Sequence, residues 1–106
     1  MAQHKQIVES YIKENKVVVF SKTYCPYCKS TKQTLDDLGA KYLAVELDKR
    51  DDGSELQAAL QEISNQRTVP NTFIGQKHIG GNSDLQALLK SGELQTLLKN
   101  AGALEA

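Results

Sequence analysis

Apolar residues recur along this chain in two alternating rhythms. Ile7, Val8, Tyr11 and Ile12 fall at helical spacing with Lys5, Glu9, Lys13 and Glu14 on the other side, which predicts an amphipathic helix. Asn15 and Lys16 break it. Val17-Val18-Val19-Phe20-Ser21 then forms a short β-branched run of the kind that makes a buried strand. Cys28, Thr31, Leu35 and Leu38 return to helical spacing until Gly39, a residue suited to a left-handed stop. From Tyr42 to Leu47, Leu43, Val45 and Leu47 alternate with Tyr42, Ala44 and Glu46, so a second strand is expected. Strand, helix, strand in this order is a crossover unit, and the two strands should be parallel.

The second half repeats the alternation with different punctuation. Asp48-Lys49-Arg50-Asp51-Asp52-Gly53 mixes charges of both signs and reads as a solvated turn without function. Asp52 with Glu55 fits a capping-box-like start for a helix whose inner stripe is Leu56, Ala59, Leu60 and Ile63, with Gln57 at the border of that stripe. Ser64 to Arg67 ends it. Thr68 to Gly75 carries a strand signature with Pro70 near its start, where a missing N–H is tolerated. Gln76-Lys77 reads as a hairpin turn, and His78-Ile79 as a short return strand. Gly80-Gly81 permits a sharp change of direction, and Asn82-Ser83-Asp84 offers capping side chains to a helix containing Leu85, Leu88 and Leu89. After Ser91-Gly92 a last helix carries Leu94, Leu97 and Leu98 and ends near Gly102. His4 is expected in a mobile start, and His78 at the surface of an edge strand.

A chain of 106 residues is expected to form one domain over 1–106, large enough to bury a core without disulfide staples. Lys+Arg and Asp+Glu are both 13, giving a formal net charge of zero. Neither nucleic acid nor an anionic membrane is therefore favoured as a partner. The amino terminus lacks the apolar core of a signal peptide, and no run approaches the ~18 residues of a membrane span. A soluble, cytoplasmic, monomeric protein is the default expectation, in a compartment where thiols are mostly kept reduced.

That expectation changes how the 2 cysteines read. Lys22-Thr23-Tyr24-Cys25-Pro26-Tyr27-Cys28-Lys29 sits where the first strand becomes a helix, with Cys25 at the cap and Pro26 in the first turn, where a missing N–H costs nothing. Unpaired backbone N–H groups, the positive end of the helix dipole and nearby Lys22 all favour thiolate over thiol at Cys25. Cys25 is thus the expected nucleophile. Cys28, three residues on, shares its helix face and can attack a mixed disulfide formed on Cys25. A structural disulfide is the bland alternative, but so small a loop removes little chain entropy. Half a zinc site is another, but a structural zinc wants four ligands, and beyond the cysteines the chain offers only His4 and His78, far apart. A dimer sharing metal stays open. Local reading also gives Asn82 to Asp84 two roles: caps only, or a helix-start anion site with Asp84 beside it for a cation. If the Val69–Pro70 bond is cis, the N–H and C=O of Val69 turn outward and offer an extended peptide one strand's worth of hydrogen bonds.

Taken in order, Cys25-Pro26-Tyr27-Cys28, Arg67-Thr68-Val69-Pro70 and Gly80-Gly81 followed by Asp84 resemble the dithiol glutaredoxins over nearly the whole chain. The resemblance implies a thioredoxin-like α/β fold, a four-stranded mixed sheet flanked by helices on both faces, with a cis proline at Pro70. It implies glutathione as co-substrate, no metal, and Cys25 and Cys28 as the catalytic pair. Lys22, Gln57 and Arg67 would hold the glycine carboxylate. Val69 would pair through its backbone with the cysteinyl unit, within a segment that includes Thr68 and Pro70. The N–H groups at Asn82, Ser83 and Asp84, after Gly81, would take the γ-glutamyl carboxylate. Asp84 would also face the ammonium, and Tyr27 would line the groove.

The implied activity is glutathione-dependent thiol–disulfide exchange, an electron-transfer role acting on glutathionylated or disulfide-containing proteins. A thioredoxin is the rival enzyme, against which stand Pro26-Tyr27, the polar site candidates and the absence of Trp. An iron–sulfur carrier, with two chains and two glutathiones sharing a cluster through Cys25, is the rival without catalysis. Pro26 speaks against it by family comparison.

Overall fold

The computed structural model describes residues 2–104. Four strands form one sheet in the order β2-β1-β3-β4. They are β1 (Val17–Ser21), β2 (Leu43–Glu46), β3 (Asn71–Ile74) and β4 (Lys77–Gly80). β1 runs parallel to β2, with Phe20 opposite Val45, and antiparallel to β3, with Val18 opposite Phe73. β3 and β4 form an antiparallel hairpin. The parallel pair follows from the helix between its strands, because a short turn cannot return the chain in the same direction.

Every residue of β1 is buried, and alternation sends its side chains to two cores. Val18 and Phe20 pack with Val8 and Ile12 of α1 (Ala2–Glu14) and with Leu56, Ala59 and Leu60 of α3 (Gly53–Ser64). Val17 and Val19 face Leu35 of α2 (Pro26–Asp37), Leu85 of α4 (Asn82–Ser91), and Leu94 and Leu98 of α5 (Glu93–Asn100). Helices thus cover both faces, as the β-branched run requires. Edge-to-face rings of Tyr11, Phe20 and Phe73 fill the first core, with centroids 6.2 and 6.1 Å apart.

Several sequence expectations shift. His4 lies within α1 and is half-buried, so the start is helical there, not mobile. The turn between β3 and β4 falls at Gly75-Gln76, both with positive φ, which puts Lys77 in the strand. β2 and β3 are shorter than their apolar patterns, because Tyr42 and Leu47 lie outside the ladder, as do Thr68 to Pro70. The charged stretch is not merely a solvated turn. Leu47–Lys49 makes one 3-10 turn, and Arg50 grips Asp52 through Nε and Nη2 at 2.7 and 3.0 Å and the Tyr11 hydroxyl through Nη1 at 2.7 Å. Asp52 is consequently the N-cap residue of α3 without a side-chain cap bond. Gly53 is required next, since a Cβ there would overlap the Leu47 carbonyl oxygen.

Candidate active site

Cys25 is the N-cap residue of α2, with extended backbone and Pro26 in the first turn. Its own N–H donates to Lys22 O at 3.1 Å, which closes the loop after β1 and points the sulfur along the helix start. The sulfur accepts the Cys28 N–H at 3.3 Å, as an N-cap oxygen would, and lies 3.9 Å from Val69 O. Cys25 is half-exposed and Cys28 fully buried, and both are free thiols. Burial, then the bond with the Cys25 side chain, pushes the Cys28 thiol up to about 11, against weaker opposing bonds from the Lys22 backbone and Ser21 hydroxyl. Near neutral pH, Cys28 is therefore a protonated reserve beneath Cys25.

Three further parts surround the sulfur. The Val69–Pro70 bond is cis. In the segment leading to it, Gln57 Nε2 donates to Arg67 O at 2.8 Å, and Gln66 Nε2 donates to both Thr68 O and Pro70 O at 3.0 Å. Among the described residues, nothing accepts the Val69 N–H. The second part is a cavity of about 460 Å³ lined by Lys22, Ser54, Gln57, Ala58, Gln61 and Arg67, which brings the predicted trio of Lys22, Gln57 and Arg67 together. Its lining carries two cations and no carboxylate, so it suits an anion.

The third part is the start of α4. Gly81 is its N-cap and has no side chain to offer, so Asp84 reaches back and accepts the Gly81 N–H through Oδ2 at 3.0 Å. Gly80 makes this possible: its φ is +115°, and a Cβ would collide with the Asp84 carboxylate. A Cβ on Gly81 would lie 3.8 Å from Pro70 O, so the start of α4 abuts the cis-proline segment. Asn82 turns its side-chain oxygen inward, accepting from Thr31 Oγ1 at 3.0 Å and Gln86 Nε2 at 3.1 Å. Its side-chain oxygen is thus committed within the fold, which leaves the backbone N–H as its open donor. Ser83 and Asp84 are exposed, and Tyr27 is 69% exposed at the rim.

Sequence reasoning missed four contributors. Asp48, set aside in the charge run, accepts the Thr23 N–H at 3.0 Å and the Thr23 hydroxyl, pinning the loop between Lys22 and Cys25. These bonds hold its carboxyl below the usual range. Gln66 and Thr31 make the contacts given above, and Tyr24, 68% exposed, sits beside Cys25 in the chain. Only Tyr24 had a local signal, its position next to the cysteine. Among the described residues, no helix is long and apolar enough to cross a membrane, and no three His, Cys, Asp or Glu side chains are grouped to hold a metal ion.

Residues 17–79 match the family model described as Glutaredoxin. A glutaredoxin of Ricinus communis is 58% identical over 104 residues, covering 98% of both chains. Glutaredoxin-C2 of Arabidopsis thaliana is 54% identical, covering 98% of this chain and 90% of its own. Among solved structures, a buckwheat glutaredoxin–glutathione complex superposes with a TM-score of 0.96 at 44% identity, covering 98% of this chain and 94% of its own. With the cysteine pair, the cis proline and the start of α4 arranged around one sulfur, this chain belongs to the glutaredoxin family of glutathione-dependent thiol–disulfide oxidoreductases.

Proposed function

We propose that the chain reduces mixed disulfides between glutathione and protein thiols through Cys25 alone, and protein disulfides through Cys25 with Cys28. One observation carries this reading: the Cys25 sulfur accepts a helix-start N–H at the surface while Cys28 is buried and held as a thiol. In the first route the Cys25 thiolate attacks the glutathione sulfur of the mixed disulfide. A Cys25–glutathione disulfide forms, and the protein sulfur leaves as a thiolate that takes a proton. A second glutathione thiolate attacks the bound glutathione sulfur, giving oxidised glutathione and free Cys25. In the second route Cys25 opens a protein disulfide, and Cys28 loses its proton and displaces the protein from the Cys25 sulfur. The resulting Cys25–Cys28 disulfide is reduced by two glutathiones.

Glutathione is held by its two ends and its middle. Lys22, Gln57 and Arg67 take the glycine carboxylate, supported by the cavity they line. The backbone of Val69 pairs with the cysteinyl unit, with Thr68 and Pro70 fixing its direction. The N–H groups of Asn82, Ser83 and Asp84 take the γ-glutamyl carboxylate, where Gly81 allows close approach, and Asp84 faces the ammonium. Tyr27 flanks the groove. The protein acts as a cytoplasmic monomer on glutathionylated or disulfide-bonded proteins.

A coupled assay with a small glutathione mixed disulfide tests the reading. Cys25→Ser should lose all activity. Cys28→Ser should retain reduction of the mixed disulfide and lose reduction of an intramolecular protein disulfide. Activity surviving in Cys25→Ser would remove the assigned nucleophile.

A further inference from the structure

The segment Arg67 to Pro70 carries its polar backbone atoms in an unequal way. The carbonyls of Arg67, Thr68 and Pro70 each accept a side-chain amide N–H, from Gln57 or Gln66. The Val69 carbonyl alone faces the Cys25 sulfur. One amide group, Gln66 Nε2, therefore bridges the two carbonyls on either side of Val69. It is pre-aimed. The Gln66 N–H donates to Ser64 Oγ at 3.3 Å, Ser64 Oγ donates to Leu60 O at 2.7 Å, and Asn71 Nδ2 donates to Ser64 Oγ at 3.1 Å. The anchor of the bridge thus reaches both the end of α3 and the start of β3.

We infer that Gln66 is a positioning residue of the glutaredoxin reaction: by tying down the Thr68 and Pro70 carbonyls it leaves Val69 as the single open rung on which a substrate's peptide backbone is aligned with the Cys25 sulfur. The inference rests on the reading of Val69 as the docking point for the cysteinyl unit. Its physical basis is the cost of leaving the part-buried Pro70 carbonyl without a partner, while the exposed Thr68 carbonyl would turn to water. Without the amide, both carbonyls must seek other donors, and the backbone between them is free to rotate its N–H and C=O out of register with an incoming strand. Gln66 makes no hydrogen bond to the sulfur and acts on the docking segment only through the Thr68 and Pro70 carbonyls, so its effect should fall on substrates that carry a peptide backbone and spare those that do not.

The test compares two disulfides in single turnover on wild type and Gln66→Met, which keeps the length of the side chain and removes its donor. One is a glutathionylated peptide; the other is an aromatic disulfide with no peptide backbone. The rate constant with the glutathionylated peptide at subsaturating concentration should fall roughly tenfold, the scale of losing two neutral hydrogen bonds. The rate with the aromatic disulfide should stay within about twofold, because the environment of Cys25 is intact. In steady state the change should appear in KM and leave kcat nearly unaltered. Equal losses with both disulfides, or no loss with either, would overturn the inference. If Gln66→Met does not fold, Gln66→Glu, which cannot donate when ionised, must show the same split, and its failure to do so would equally overturn it.

An amide NMR titration of the wild type with S-methylglutathione separates this inference from the reading beneath it. A Val69 N–H that does not move removes the docking reading and the inference together. A Val69 N–H that moves, beside an unchanged rate ratio in the variant, removes the role of Gln66 alone.

Discussion

Two helices begin at the active site, and they begin differently. α2 opens with Cys25, whose own sulfur accepts the Cys28 N–H. α4 opens with Gly81, which has no side chain, so the reciprocal bond comes from Asp84 and satisfies the N–H of Gly81 itself. Among the described residues, the backbone N–H groups of Asn82 and Ser83 have no acceptor. The same physics, donors left over at a helix start, is thus used twice. In α2 the chain brings its own acceptor, the sulfur proposed as the nucleophile. In α4 the chain leaves those donors open, where the proposed function places a carboxylate of the ligand. A cap residue with an acceptor makes a reagent; a cap residue without one makes a receptor.

The largest expected effect breaks the first half of this contrast: Cys25→Ser should abolish turnover while leaving α2 capped, since a hydroxyl replaces the sulfur as acceptor. Far-ultraviolet dichroism should therefore be unchanged. Next comes Asp84. Asp84→Ala should raise KM for glutathionylated substrates by roughly 10- to 100-fold at nearly constant kcat, the scale of a charge-assisted hydrogen bond. Asp84→Asn keeps an acceptor for the Gly81 N–H and removes only the charge, so it should raise KM while preserving the melting temperature. Equal KM for Asn and wild type would show that the carboxylate serves as a cap only. Gly80→Ala should cost about 1–3 kcal/mol of stability in denaturant melts, because the left-handed φ is strained for alanine and its Cβ collides with Asp84.

The two cysteines sharpen the contrast through pH. Cys28, raised to about 11, is held protonated by the fold. Its folded value exceeds its unfolded one, so the stability it contributes is complete below about 9 and is lost as pH rises toward 11. Alkylation of the folded protein at pH 7 should modify Cys25 alone, by peptide mass mapping, with Cys28 joining as pH nears that value. The smallest effect is Thr31→Val, which removes a buried donor from Asn82 and should cost about 1 kcal/mol in a denaturant melt.

The reagent half of the site was legible in the sequence and the receptor half less so. Cys25, Pro26 and Cys28 declare a helix start by residue type and spacing alone. Glycines at 80 and 81 signalled a turn, but only the geometry shows that Gly80 is there to admit the carboxylate of Asp84. Asp52 has the spacing of a side-chain cap, yet Arg50, two residues earlier, takes both its oxygens at 2.7 and 3.0 Å. Propensity lost there to a stronger local partner. Asp48 and Gln66 were unreadable for a different reason. Their side chains fasten backbone atoms, which every residue carries, so no pattern of residue types marks the partner. The alternation of β1 between two cores, by contrast, was fixed by Val and Phe side chains with nowhere else to go.

The inward-turned oxygen of Asn82, held by Thr31 and Gln86, fastens the opening of α4 to the side of α2 before any ligand arrives. Gln86 adds a second stitch to Thr34 at 2.9 Å. The separation between the Cys25 sulfur and the start of α4 is therefore built into the chain as a gauge. On the proposed reading of the site, a substrate is selected by whether its length spans that gauge, so cystine, which carries the same disulfide without the flanking residues, should be a poor substrate.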